Sequence, residues 1–155
     1  MSGYPPEWVL VDELAKSPRP GYPERQGIGT DEVDDWIDEI RGMGIRSIIC
    51  FLSDDQLPFY SGLPSGLIQY YRDAGFDVAH IPEDDHKTPS LSEEGVRESV
   101  TSFERLQKPV LVHCSAGNTS NQLLTGLRLV RTSRVSSRRS VKSRVERPTT
   151  QSDQP

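Results

Sequence analysis

Ile45-Arg46-Ser47-Ile48-Ile49-Cys50-Phe51-Leu52 is an apolar run with too few polar positions to lay one face in water. A strand of this kind belongs to a sheet covered on both faces, and such sheets are mainly parallel because their crossover connections place helices on the faces. The segments around it fit that arrangement. Thr30 is a candidate N-cap, Asp31 and Glu32 follow in the first turn, and Val33, Trp36, Ile37 and Ile40 recur at helical spacing, with Gly42 and Gly44 to end the helix. A second helix runs through Leu67, Ile68 and Tyr71 to Gly75, and Phe76 to Ile81 reads as the next strand. Ser90 with Glu93 has the spacing of a capping box, before Val96, Val100 and Phe103 on one helical face. Trp8 to Val11 is a first strand that Leu14 extends. Ser17-Pro18-Arg19-Pro20-Gly21-Tyr22-Pro23 is a connection, since three prolines suit neither a helix nor a central strand. Strands alternating with helices at these separations predict an α/β fold: a mainly parallel central sheet flanked by helices, with right-handed crossovers.

The charge is unevenly placed. Residues 1–117 hold 10 Lys+Arg against 21 Asp+Glu, whereas residues 118–155 hold 8 against 2, so the sign reverses. The later stretch has twelve Ser or Thr, and every aromatic residue lies at or before Phe103. Leu123, Leu124, Leu127 and Val130 keep a helical period for about two turns, after which the pattern dissolves. The expected organisation is an α/β unit over 1–117, its following loop and a short helix continuing to about 131, and a Ser/Arg-rich disordered tail over 132–155. No apolar run is long enough to span a bilayer and no secretory signal is visible, which predicts a cytoplasmic protein without a membrane partner. The tail lacks aromatics and regular spacing, which argues against a nucleic-acid partner. Two cysteines and three scattered histidines form no zinc-ligand spacing, so no metal or other cofactor is expected, and nothing specifies an oligomeric state.

The chemistry is concentrated where Pro109-Val110-Leu111-Val112, a short buried strand, runs into His113-Cys114-Ser115-Ala116-Gly117-Asn118-Thr119-Ser120. A thiol at the mouth of a small-residue loop leading to a helix sits where backbone N–H groups converge, a setting that favours negative charge on sulfur and also a bound phosphate. His113-Cys114-Ser115-Ala116-Gly117 resembles the opening of the phosphate-binding loop of the protein tyrosine and dual-specificity phosphatases. The resemblance covers about Trp8 to Gly117, and its specific part is residues 81–117. It implies a dual-specificity phosphatase-like fold with an atypical C-terminal part. It also implies Cys114 as nucleophile, His113 as the residue that tunes it, and Ser115, Ala116, Gly117, Asn118, Thr119 and Ser120 as the phosphate-binding loop. The family places an acid on the loop before the preceding helix, where Glu83-Asp84-Asp85-His86 lies; Asp85 is preferred to Asp84 because it directly precedes His86. Some family members pair the nucleophile reversibly with a cysteine on a neighbouring strand end, a place Cys50 occupies, although Cys50 also reads as plain core.

The family pattern closes with an arginine six residues after the cysteine, and here that residue is Ser120. The resemblance therefore implies hydrolysis of a phosphorylated protein or small phosphomonoester through a phosphocysteine, impaired by the missing guanidinium. The alternative is a catalytically inactive pseudophosphatase, or a truncated or frameshifted remnant, that at most binds phosphorylated partners. Loss of the arginine, reversal of charge and loss of core pattern all begin within three residues of Gly117, and a shift of reading frame there would account for all three.

Overall fold

The computed structural model describes residues 4–84, 91–116 and 120–132. Among them five strands form one sheet: β1 (Glu7–Leu10), β2 (Leu14–Ser17), β3 (Ser47–Cys50), β4 (Asp77–His80) and β5 (Val110–His113), in the spatial order β1-β2-β5-β3-β4. β1 and β2 pair antiparallel, and the other three pairings are parallel, so the sheet is mixed but mainly parallel. Among the described residues four α-helices surround it: α1 (Thr30–Gly42), α2 (Gly66–Asp73), α3 (Glu93–Arg105) and α4 (residues 120–132). No helix among the described residues is long and apolar enough to cross a membrane.

The period-2 alternation of each strand divides the core into two layers. On one side Ala15, Ile48, Cys50, Leu52 and Leu111 pack with the buried stripe of α1 (Val33, Trp36, Ile37, Ile40) and with Leu67 and Tyr71 of α2. On the other side Leu14, Ile49, Phe51, Val110 and Val112 pack with Val100 and Phe103 of α3 and with Leu123 and Leu127 of α4. The doubly covered sheet explains why β3 and β5 are buried at every position. α4 approaches α3 closely through Gly126, where an added Cβ would stand 2.8 Å from Val96 Cγ1 and 2.9 Å from Val100 Cγ2.

Three local expectations change. Leu14 does not extend the first strand: Asp12, at φ +62°, turns the chain, and Glu13 N–H donates to the Leu10 carbonyl at 3.0 Å, so that Leu14–Ser17 returns as a strand of its own. The cap of α1 is Gly29 rather than Thr30, with the Glu32 carboxylate reaching back to accept from Gly29 N–H at 3.1 Å. The cap of α3 is Ser92, which is extended and accepts from Gly95 N–H at 2.9 Å, so Glu93 is already helical. Ser90, the expected cap, and the tail from 133 onwards lie outside the described residues.

Candidate functional site

β5 enters the gap between β2 and β3, and the register aligns the carboxyl ends of four strands. Ser17 of β2 and Cys50 of β3 both stand opposite His113 of β5, and Cys50 also stands opposite His80 of β4. Ligands of mainly parallel sheets bind beyond this edge, where neighbouring connections leave for opposite faces. β5 is such a place: α4 follows it on one face, whereas α1 and α2, which follow β2 and β3, lie on the other. The ladder runs slightly past the strands, because Phe51 N–H donates to the His113 carbonyl at 2.9 Å and Arg19 N–H to the Ser115 carbonyl at 3.1 Å. Arg19 is thereby fixed opposite Ser115, although 96 residues separate them.

His113 is 1% exposed and points to the α1/α2 side, edge-on to the rings of Trp36 and Tyr71. Nδ1 lies 3.1 Å from the Cys114 carbonyl, and Nε2 lies 2.9 Å from the Tyr71 hydroxyl. A carbonyl only accepts, so the proton is on Nδ1, and Nε2 accepts from Tyr71 O–H. Burial pushes the imidazole pKa down to about 4, so both bonds are made by a neutral ring. His113 consequently holds the main chain at Cys114 rather than offering a proton to a substrate. Trp36 Nε1–H donates to Ser17 Oγ at 3.0 Å, and that hydroxyl donates to the Pro18 carbonyl at 2.7 Å, which fixes the neighbouring strand end in the same way.

The two thiols differ. Cys114 is half-buried at the strand mouth, against the layer formed with α3 and α4. Cys50 is fully buried in the opposite layer; burial, with a smaller contribution from nearby Cys114, pushes its pKa up to about 12 despite a hydrogen bond with the Leu52 main chain. Neither forms a disulfide among the described residues. Ser115 and Ser120 are buried and Ala116 is exposed, while Gly117, Asn118 and Thr119 lie outside the described residues.

Asp85 also lies outside them. Of its neighbours, Glu83 is committed to the start of α3, where its carboxylate accepts from Ser92 Oγ–H at 2.8 Å and Ser92 N–H at 3.3 Å. Asp84 is exposed. Among the described residues no group of three or more His, Cys, Asp or Glu could hold a metal ion.

Arg19 is a site residue that sequence reasoning passed over. It is 2% exposed, its Nε–H donates to Ser115 Oγ at 3.2 Å, and its guanidinium lies 5.0 Å from the Phe59 ring centre and 5.6 Å from that of Tyr22. Burial pushes the Tyr60 phenol pKa up, and the adjacent Arg19 guanidinium opposes that shift by hydrogen bond and charge. Among the described residues Nη1 is buried without a hydrogen-bond partner and no carboxylate pairs with the guanidinium. Burying an ion costs several kcal/mol even after relaxation. Each ring-face contact returns only about 0.5–2 kcal/mol. Among the described residues the charge has no counter-ion beside Ser115. Nothing in the spacing of Pro18-Arg19-Pro20 signals this, because the contact exists only through the β2–β5 register.

No protein-family model matches the chain, and no curated protein matches it.

Proposed function

We propose that the chain is a cysteine-based phosphatase of the tyrosine/dual-specificity kind, with the corresponding fold, acting on phosphomonoesters in the cytoplasm with turnover impaired by the residue at position 120. The observation that carries this reading is the placement of Cys114: a partly exposed thiol immediately beyond the central strand of a mainly parallel sheet, its carbonyl held by a neutral buried histidine, with residues 120–132 helical further on. In the proposed reaction the Cys114 sulfur, as thiolate, attacks phosphorus and forms the S–P bond as the ester P–O bond breaks. Asp85 gives its proton to the leaving oxygen. Water, deprotonated by the same carboxylate, then breaks the S–P bond and releases inorganic phosphate. Ser120 contributes at most a neutral hydroxyl where the family pattern has a bidentate cation. Loss of one such donor costs about 2.7–4 kcal/mol in comparable sites, so turnover on the order of a thousandfold below a competent enzyme is expected.

The second reading is a pseudophosphatase that binds phosphorylated partners without turning them over, and Ser120 is the observation that favours it. One assay separates the two: steady-state hydrolysis of para-nitrophenyl phosphate by the full chain and by Cys114→Ser, with iodoacetamide labelling of Cys114 followed in parallel with and without inorganic phosphate. Slow hydrolysis abolished by Cys114→Ser supports the enzyme. No hydrolysis, with phosphate still protecting Cys114 from labelling, supports the binder. Neither hydrolysis nor protection removes both.

A further inference from the structure

We propose that Arg19 is a binding residue of the anion site at Cys114–Ala116, its Nη1 donating to a phosphoryl oxygen from behind the loop and supplying the cationic donor that position 120 lacks. The proposal rests on the reading of Cys114 given above, and it names a residue from a different part of the chain as the one that recognises the phosphate monoester.

Three observations converge on it. The β2–β5 register and the bond from Arg19 N–H to the Ser115 carbonyl fix the Arg19 main chain beside the residue that follows Cys114. Nε–H is held by Ser115 Oγ at 3.2 Å, and the guanidinium is confined beside Phe59 and Tyr22, so the planar fork has one orientation. Nη1, in contrast, is fully buried and has no hydrogen-bond partner among the described residues. A buried polar nitrogen without a partner is rare in a folded protein and calls for a specific explanation, a missing ion among them. Of the chemistries that would satisfy it, an oxyanion carries both the acceptor and the opposite charge, and phosphate matches the fork of an arginine. Once an oxyanion is seated at Nη1 the pair is shielded from water, and a single charged hydrogen bond there counts for more than one at the surface. A phosphate cradle needs a cation near its main-chain donors, and in this chain Arg19 is bonded to the loop itself.

The experiment measures how inorganic phosphate slows iodoacetamide labelling of Cys114 in the full chain, which yields a phosphate dissociation constant, for wild type, Arg19→Gln, Arg19→Lys and Ser115→Ala. Near-ultraviolet circular dichroism reports whether each variant is folded. Arg19→Gln should weaken phosphate about tenfold or more, the scale of one charged hydrogen bond, with Arg19→Lys between it and wild type. An unchanged dissociation constant in folded Arg19→Gln overturns the proposal and leaves the reading of Cys114 standing. Equal weakening by Ser115→Ala and Arg19→Gln also overturns it, reducing Arg19 to a brace for Ser115. Absence of phosphate protection in wild type overturns the assignment of Arg19, and the reading of Cys114 falls with it if Cys114-dependent hydrolysis is absent too. If Arg19→Gln does not fold, a crystal structure of the wild-type chain with tungstate decides: a tungstate oxygen within hydrogen-bond distance of Nη1 upholds the assignment, and tungstate seated at Cys114 away from Nη1 refutes it.

Discussion

Acidification should destabilise this protein through His113 before its carboxylates are reached. The ring is fully buried, and burial is the largest cause of its depressed pKa; the charges of Arg19 and His80 push the same way, against the bond to the Cys114 carbonyl. The folded value is about 4 against an ordinary 6.5, a gap of about 2.5 worth about 3 kcal/mol at 1.36 kcal/mol per pH unit. Because the folded state binds the proton less readily, the stability is fully present above pH 6.5 and is lost as pH falls from there to about 4. Between pH 7 and pH 5 the loss is about 2 kcal/mol, in a range where ordinary carboxylates stay mostly ionised. Urea unfolding followed by tryptophan fluorescence at the two pH values measures it. His113→Asn serves as the control, since its amide can still donate to the Cys114 carbonyl but does not titrate. The variant is expected to be less stable at pH 7 and to change much less between the two pH values. Equal pH dependence in the two proteins would refute the argument, because the loss would then come from groups they share.

Two further outcomes follow from the packing. Iodoacetamide should label Cys114 and leave Cys50 untouched in the native protein, since Cys50 is fully buried with its pKa near 12; mass spectrometry showing equal labelling rates would mean that the β3 end opens to solvent. Gly126→Ala gains about 1 kcal/mol of helix propensity but brings a Cβ to 2.8 Å from Val96 Cγ1 and 2.9 Å from Val100 Cγ2, an overpacking that costs about 1–3 kcal/mol. A net loss on urea unfolding, partly relieved by Val96→Ala, is expected, and a stabilised Gly126→Ala would show that α4 stands further from α3.

The elements legible in the sequence were those whose burial pattern is complete within themselves. Val33, Trp36, Ile37 and Ile40 mark the inner face of α1, and the unbroken apolar run of β3 announces a sheet covered on both sides. β2 was not legible because Leu14-Ala15-Lys16-Ser17 is four residues long, holds two polar ones and lies before a proline-rich connection; its identity as a strand comes from its pairing with β5. Capping residues were displaced by one or two positions because Ser and Thr near a helix start offer several candidates, and the choice falls to backbone geometry such as the extended conformation of Ser92. At the candidate site, the strand-to-loop position of Cys114 could be read locally. Arg19, Trp36 and Tyr71 could not, since each reaches the site across the sheet from a different connection or helix.

The strand order has a consequence for synthesis. β5 is the last strand among the described residues, yet β2 and β3 are joined in the sheet only through it. Until residues 110–113 have left the ribosome, β1–β2 and β3–β4 lack the strand that joins them, and any ribbon formed by either pair would have an inner edge of unpaired main-chain groups. Such edges are templates for pairing with other chains, and closure has to wait for contacts about a hundred residues apart. A nascent chain stalled before Val110 would lack more than its thiol: it would present two sticky edges at once, which makes it a candidate for chaperone capture or aggregation.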